Sequence, residues 1–245
     1  VALRADNNGE GGILALYALL RKMKRKWIYI LAIIGASTLL ADGIITPAIT
    51  VTTAIEGLES ISPHLPVIPI TLGIITIIFF VQRFGTESIG KSFGVFMLIW
   101  FLLLGVTGAF SITSYPLILK AFNPYYAAML LAKSPEWFLI LGAVFLCTTG
   151  AEALYSDLGH CGRKNITISW LFVKAMLILN YLGQGAWVLN HIQTASSVNP
   201  FFSIMPQNML IFAIIMATGA AIVASQALIS GTFSILSEAM NLHFW

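Results

Sequence analysis

The sequence predicts an all-α, polytopic membrane protein, and three observations predict it. Of 245 residues, 58% are hydrophobic and only 9% are charged, whereas a soluble domain carries about 25% charged residues. Apolar runs close to the length of a spanning helix, about 20 residues, recur along the chain. Lys and Arg gather in alternate loops, the pattern that orients membrane helices. The formal net charge of +3 is too small and too dispersed to point to nucleic acid.

In chain order, residues 1–20 open with RADNNGEGG, too polar to span. They read as the exit of an earlier helix, a turn, and an apolar segment, GILALYALL, lying on the surface or returning inward. Residues 1–27 are therefore expected to hold the end of a preceding membrane helix and a basic cytoplasmic segment, RKMKRK. Six apolar runs follow, at about 28–57, 67–82, 92–112, 137–158, 166–190 and 207–235. Residues 28–245 thus read as a six-helix part of one transmembrane domain. The second run is short, and the first and last are long enough to tilt or project. The chain begins at Val1 and ends at Trp245 without a tail, and it is expected to be an internal piece of a longer protein.

The loops fix the orientation. ESISPHLP has no Lys or Arg; RFGTESIGK has Arg83 and Lys91. Residues 113–136 read as a longer loop with only Lys120 and Lys133, GHCGRKN packs Arg163 beside Lys164, and residues 191–206 carry no Lys or Arg. Basic and non-basic loops alternate throughout, so RKMKRK is cytoplasmic and the run beginning near residue 28 points outward.

Polar groups inside the runs carry the chemistry. In LADGIITPAITVTTAIEG, Asp42 stands near the middle of the first run. An ionised Asp at the centre of a membrane helix costs about 2.5–3.5 kcal/mol on insertion scales, so it faces the protein interior, finds a partner or is protonated. Thr46, Thr50 and Thr53 follow at i+4, i+8 and i+11, placing one carboxylate and three hydroxyls on one stripe. Pro47 has no N–H, so the Gly43 carbonyl loses its helical donor. Oxygen-only surroundings suit a hard cation. The competing reading is that the threonines bond their own backbone and Asp42 merely pairs with another helix.

The fourth run holds a second oxygen-rich break. FLCTTGAEALYSDLGHCG places Thr148, Thr149 and Gly150 near its midpoint, with Glu152 just beyond. Gly beside Thr is a poor helix centre, and interrupted helices of this kind form ion sites in transporters. Asp157 lies near the cytoplasmic edge. Asn180 and Gln184 share a face at i, i+4 and are weaker candidates, equally explained by interhelical hydrogen bonding. Lys174 lies inside the fifth run and stays unassigned. The Gly-, Ala- and Ser-rich last run reads as close helix packing.

Other chemistries find no support. Cys147 lies in an apolar run and Cys161 in a basic loop, so no disulfide framework is indicated. NNGEGG lacks the lysine of a phosphate-cradling loop. Neither an HExxH zinc motif nor a Ser–His pair at membrane depth is present, and there is no TVGYG filter. His64 and His191 fall in outward loops, His160 and His243 near the cytoplasmic face.

At RADNNGEGGILAL, DGIITPAITVTTAIEGLE, TGAEALYSDLGH, LNYLGQGA, NPFF and ASQALISGTFS, in this order, the chain resembles the Kup/HAK/KT family of potassium uptake permeases. The resemblance implies a LeuT-like inverted-repeat bundle of the amino acid–polyamine–organocation superfamily, with about twelve membrane helices and a cytosolic C-terminal region. On that map this chain runs from the end of the second helix through the eighth, so the bundle is incomplete. The family imports potassium with protons. The implied site residues are Asp42, Thr46 and Thr50 of the third helix and Thr149 and Glu152 of the sixth; some relatives carry Glu at the position of Asp42. A glycine-aspartate motif of the first helix, and the tenth helix, lie outside this chain.

The expected function is thus a potassium/proton symporter, one carboxylate holding the ion and another exchanging a proton, and the expected class is transporter rather than enzyme. The alternative is an amino acid or other cation permease of the same superfamily, using half-helix N-termini for a substrate carboxylate. No cofactor is expected. The expected partners are potassium ions, protons and the lipid bilayer, with a homodimer as one assembly the sequence allows and no nucleic acid. The expected location is the inner or plasma membrane of a bacterium. Single cysteines replacing Arg25, Arg83 or Arg163 in the full-length protein should resist an impermeant maleimide applied outside until the membrane is permeabilised; labelling of any one in intact cells would overturn the orientation.

Overall fold

A computed structural model describes residues 11–23, 25–60, 62, 65–82, 90–147, 150, 162–194 and 198–241. The described elements are helical: α1 (Ile13–Leu20), α2 (Lys26–Glu56), α3 (Val67–Gln82), α4 (Gly90–Ser114), α5 (Pro124–Lys133), α6 (Trp137–Leu146), α7 (Arg163–Asn190), α8 (Pro200–Ser203) and α9 (Leu210–Asn241). Short 3₁₀ turns join several of them, the longest over Pro116–Phe122. Four of these helices, α2, α4, α7 and α9, are long and apolar enough to cross a membrane. With 31 residues, α2 reaches about 46 Å at 1.5 Å per residue, well beyond a hydrocarbon core of about 30 Å.

Two pairings organise the bundle. One sets α2 against α9, with α3 and α1 packed alongside; the other sets α4 against α7. Val51, Ala54 and Ile55 of α2 meet Ile78 of α3 and Ala217, Ala221 and Ile229 of α9 in the largest buried cluster. Leu103 of α4 meets Ala213 and Met216 of α9 in a second, which links the two pairings. Lipid offers no hydrophobic drive between helices, so close backbone approach and van der Waals contact must hold them. The residues at the crossings fit that demand. A Cβ at Gly183 of α7 would lie 2.5 Å from the Gly108 backbone of α4, and a Cβ at Gly108 would lie 2.6 Å from the Asn180 Cα. Ser111 of α4 adds a hydrogen bond, its hydroxyl donating to the Gly183 carbonyl at 2.8 Å. Outward faces remain apolar and exposed, as at Ile44, Phe110 and Leu171.

Several sequence expectations change in detail. GILALYALL forms α1 and turns inward, burying Leu14 and Ala15 against α2 and α9. Residues 113–136 are not a plain loop: the 3₁₀ turn and α5 occupy most of them. Asn123 caps α5 by accepting from the Tyr125 N–H at 3.0 Å, with Pro124 at the first helical position. Asn199 and Pro200 repeat the arrangement at α8, inside the expected loop 191–206. The fourth run does not continue as one described helix to residue 158: α6 ends at Leu146. The second run gives a helix of 16 residues, α3, shorter than a full span.

Gly183→Ala should lower the thermal midpoint of the purified full-length protein, because the new methyl meets backbone that cannot rotate away; overpacking of this kind costs about 1–3 kcal/mol. A midpoint equal to that of the wild type would show that α4 and α7 do not cross this closely.

Candidate functional site

The candidate cation site is built on α2. α2 runs as one helix from Lys26 to Glu56 although Pro47 sits inside it. Gly43, Pro47, Val51 and Ala54 form the face buried against the rest of the bundle. Asp42, Thr46 and Thr50 lie on the flank of that face, half-buried, so they are neither out in the membrane nor sealed in the core. The four-residue spacing stacks them one turn above another.

The stripe has an asymmetric hydrogen-bond pattern. Thr46 Oγ1 donates to Asp42 Oδ1 at 2.5 Å. Asp42 Oδ2 is buried and has no partner. Thr50 Oγ1 donates to the Thr46 carbonyl at 2.8 Å and lies 3.3 Å from the Pro47 carbonyl. Thr53 is exposed and bonds its own Ile49 carbonyl at 2.9 Å, so it does not share the half-buried flank. Pro47 cannot donate to the Gly43 carbonyl. The carboxylate, the Thr46 and Thr50 hydroxyls and that carbonyl give a concentration of hard oxygen donors on one side of one helix, the donor chemistry of an alkali or alkaline-earth cation rather than a soft metal.

A neighbour that sequence reasoning missed closes on this level of α2. Thr232 of α9 presses its Oγ1 on Gly43, so tightly that a Cβ there would overlap it. The Thr232 hydroxyl donates to its own Leu228 carbonyl at 2.8 Å. A further hydroxyl thus sits one residue along from Asp42, held by a glycine contact. Its signal in the sequence is one of two threonines, Thr218 and Thr232, in a run rich in Gly, Ala and Ser, which reads equally well as packing.

The second predicted region is described up to its edge. At the end of α6 the Cys147 N–H still donates to the Ala143 carbonyl at 3.2 Å. The Tyr181 hydroxyl, from α7, donates to the Cys147 carbonyl at 3.0 Å and so meets one of the acceptors a helix end leaves open. Gly150 has φ +103°, a left-handed conformation that a regular helix excludes and glycine accepts. Thr148, Thr149, Glu152 and Asp157 lie outside the described residues. The structure therefore brings Asp42, Thr46 and Thr50 together and ends α6 before Gly150. Tyr181, one residue after Asn180 in LNYLGQGA, was not singled out from the sequence, since spacing does not tell which distant carbonyl a Tyr hydroxyl will meet.

The weaker candidates separate. Asn180 is 4% exposed at the α4–α7 crossing, with its Oδ1 unpartnered. Gln184, one turn on, is half-buried. Lys174 is exposed, with its ammonium 5.6 Å from the Trp170 ring centroid, a cation–π contact within its own helix.

Comparison with known proteins agrees with the membrane reading. A family model described as K+ potassium transporter, integral membrane domain, matches residues 1–245. The chain is 53% identical over 251 residues to a probable potassium transport system protein Kup of Flavobacterium psychrophilum, covering 100% of this chain and 38% of that protein. It is 55% identical over 258 residues to the protein of the same name in Latilactobacillus sakei, covering 99% of this chain and 38% of the relative. A third, probable potassium transport system protein Kup 1 of Lactococcus lactis, is 54% identical over 254 residues, with the same shares. The chain thus spans well under half the length of these relatives. No solved structure matches it.

The contact between Tyr181 and the end of α6 can be tested through the exposed Cys147. In a Cys161→Ser background, Tyr181→Phe should raise the alkylation rate of Cys147, since an uncapped helix end frays; a hydrogen bond of this kind contributes about 1 kcal/mol. An unchanged rate would mean that Tyr181 does not hold the end of α6.

Proposed function

The chain belongs to the K+ potassium transporter integral membrane domain family, and from that premise we propose that it forms part of a secondary active transporter importing potassium together with protons. The single observation that carries the reading is the half-satisfied carboxylate of Asp42: Oδ1 holds the Thr46 hydroxyl while Oδ2 is buried without a partner. A buried oxygen left this way needs either a proton or a cation, because an uncompensated charge in a low-dielectric site is costly. Either occupant neutralises it, and a group that accepts one at a time couples their movements.

In this reading Thr46 and Thr50 supply further oxygens and the Gly43 carbonyl a fourth. Thr149 and Glu152 of the fourth run, which the family resemblance assigns to the same site, add oxygens to it, and an aspartate of the first helix, outside this chain, completes the set. The helices belong to a LeuT-like bundle of the amino acid–polyamine–organocation superfamily, with residues 28–245 inside its transport domain. Support comes from the positive φ of Gly150, a conformation that a continuous helix excludes and that suits the helix breaks on which such sites are built. The relatives named above come from bacteria, which supports a bacterial plasma membrane as its location. They are named as transport proteins, in keeping with a transporter rather than an enzyme.

The full-length protein, expressed in a bacterium lacking its own potassium uptake, should restore growth at low potassium. Thr46→Val should raise the KM for potassium about tenfold or more, since a hydrogen bond to a charged group is worth about 1.5–3 kcal/mol. Thr50→Val should raise it less, because that hydroxyl is already committed to its own backbone. Asp42→Asn should change the ratio of protons to potassium ions moved in liposomes. Wild-type KM in Thr46→Val, together with a wild-type flux ratio in Asp42→Asn, would remove this stripe from the site.

A further inference from the structure

The segment between α4 and α6 has a role that the transport reading does not use. From Pro116 to Lys133 it is helical throughout, apart from Asn123 between the 3₁₀ turn and α5, yet neither element has a single buried residue. Its apolar side chains stand open: Phe122 is 66% exposed, Tyr125 61% and Leu117 55%. In water such a surface would drive association or collapse, and contiguous exposed apolar patches mark interaction sites.

Three facts narrow the partner. The first is depth. The segment connects the end of α4 at Ser114 to the start of α6 at Trp137, on the side of the membrane that the Lys/Arg pattern assigns to the outside. Ten residues of α5 extend about 15 Å, half the hydrocarbon thickness, so α5 can neither cross nor stand upright through it. The second is pattern. Tyr126, Met129, Leu130 and Lys133 recur at i, i+3, i+4 and i+7 and line an open hollow of about 420 Å³ with Ser134. An apolar strip that ends in lysine is the arrangement in which an aliphatic stem lies along acyl chains while its ammonium reaches the headgroups. The third is continuity. Trp137 and Phe138 at the start of α6 are exposed, as is Phe110 near the end of α4, so the elements on either side of the segment also present open apolar side chains next to it. Tyr125, Tyr126 and Trp137 are the residue types enriched at membrane–water interfaces. The charges between residues 113 and 136 are Lys120, Lys133 and Glu136, a net positive balance.

We propose that residues 116–133 lie in the plane of the outer leaflet interface, with α5 half-sunk among the lipid headgroups through its Tyr126–Met129–Leu130–Lys133 face. The segment would then be a lateral brace that fixes the height of α4 and α6 in the bilayer, rather than a loop over the transport path. This proposal does not depend on which ion is carried.

The test uses the full-length protein in lipid nanodiscs, with a nitroxide on a single cysteine at Leu130 or at Ala128, which points about 200° away around α5. Collision with oxygen, enriched in lipid, is compared with collision with a water-soluble nickel chelate. The expected result is oxygen-dominated relaxation at Leu130 and nickel-dominated relaxation at Ala128, with potassium uptake retained by both labelled proteins. Nickel-dominated relaxation at both sites would place α5 in water and overturn the proposal. Protection of Leu130 from both reagents would overturn it too, showing the face covered by protein, either a second copy or another part of the full chain. A label at Leu117, in the 3₁₀ turn, gives an independent reading if the Leu130 label prevents folding: oxygen-dominated relaxation there supports the proposal, and either of the other patterns contradicts it.

Discussion

A carboxylate held at bilayer depth has to be compensated on both oxygens, and Asp42 is compensated on one. The Thr46 hydroxyl meets Oδ1, whereas Oδ2 is buried and open. The cost of leaving a charge so placed is large enough to decide what surrounds it. It explains why the carboxylate sits on a flank of α2 beside the packed face rather than toward lipid. Two of the threonines follow the thrifty course and bond their own backbone, Thr50 to Thr46 and Thr53 to Ile49. Thr46 instead turns its hydroxyl to the carboxylate.

The rest of the bundle can be understood as what keeps this stripe in register. Pro47 removes a rung from the α2 ladder, so α2 needs support from outside at that height. It receives it from α9, which comes close enough at Gly43 for Thr232 to rest on the backbone, and from the cluster of Val51, Ala54 and Ile55 about two to three turns further on. The α4–α7 pair is made by the same means, backbone against backbone at Gly108 and Gly183, with the Ser111 hydroxyl bridging. Tyr181 carries that pair's influence to the end of α6. Small residues thus set the distances, and the few polar side chains between helices set the angular register. Such an arrangement suits a bundle whose parts must shift against one another without losing contact.

Much of the fold could be read from the sequence, because membrane helices obey one strong constraint: every backbone polar group must be satisfied within the segment. Length and hydropathy therefore located α2, α4, α7 and α9. What escaped was the content of the connections. Residues 116–133 looked like a loop because they are too short to span and carry two lysines, yet Asn-Pro at 123–124 and again at 199–200 is a helix-start signal independent of hydropathy. The sequence allows α1 either a surface or an inward course, and its burial rests on Ile235 and Ala239, more than 200 residues away. At the candidate site, Asp42, Thr46 and Thr50 were legible as a stripe from spacing alone. The resting place of Thr232 was not, since a contact between distant helices leaves no mark in the periodicity of either. Nor could spacing tell Thr46, which serves the carboxylate, from Thr53, which serves its own helix.

The central claim is that the open oxygen of Asp42 belongs to a site for a monovalent cation. The most direct measurement is the anomalous scattering of rubidium or thallium soaked into crystals of the full-length protein. The account predicts a peak within about 3 Å of the Asp42 carboxylate and the Thr46 hydroxyl, on the half-buried flank of α2, where a hard cation meets oxygen ligands. Ion density elsewhere in the bundle, with Asp42 Oδ2 bonded to a protein donor in the presence of the ion, would contradict it.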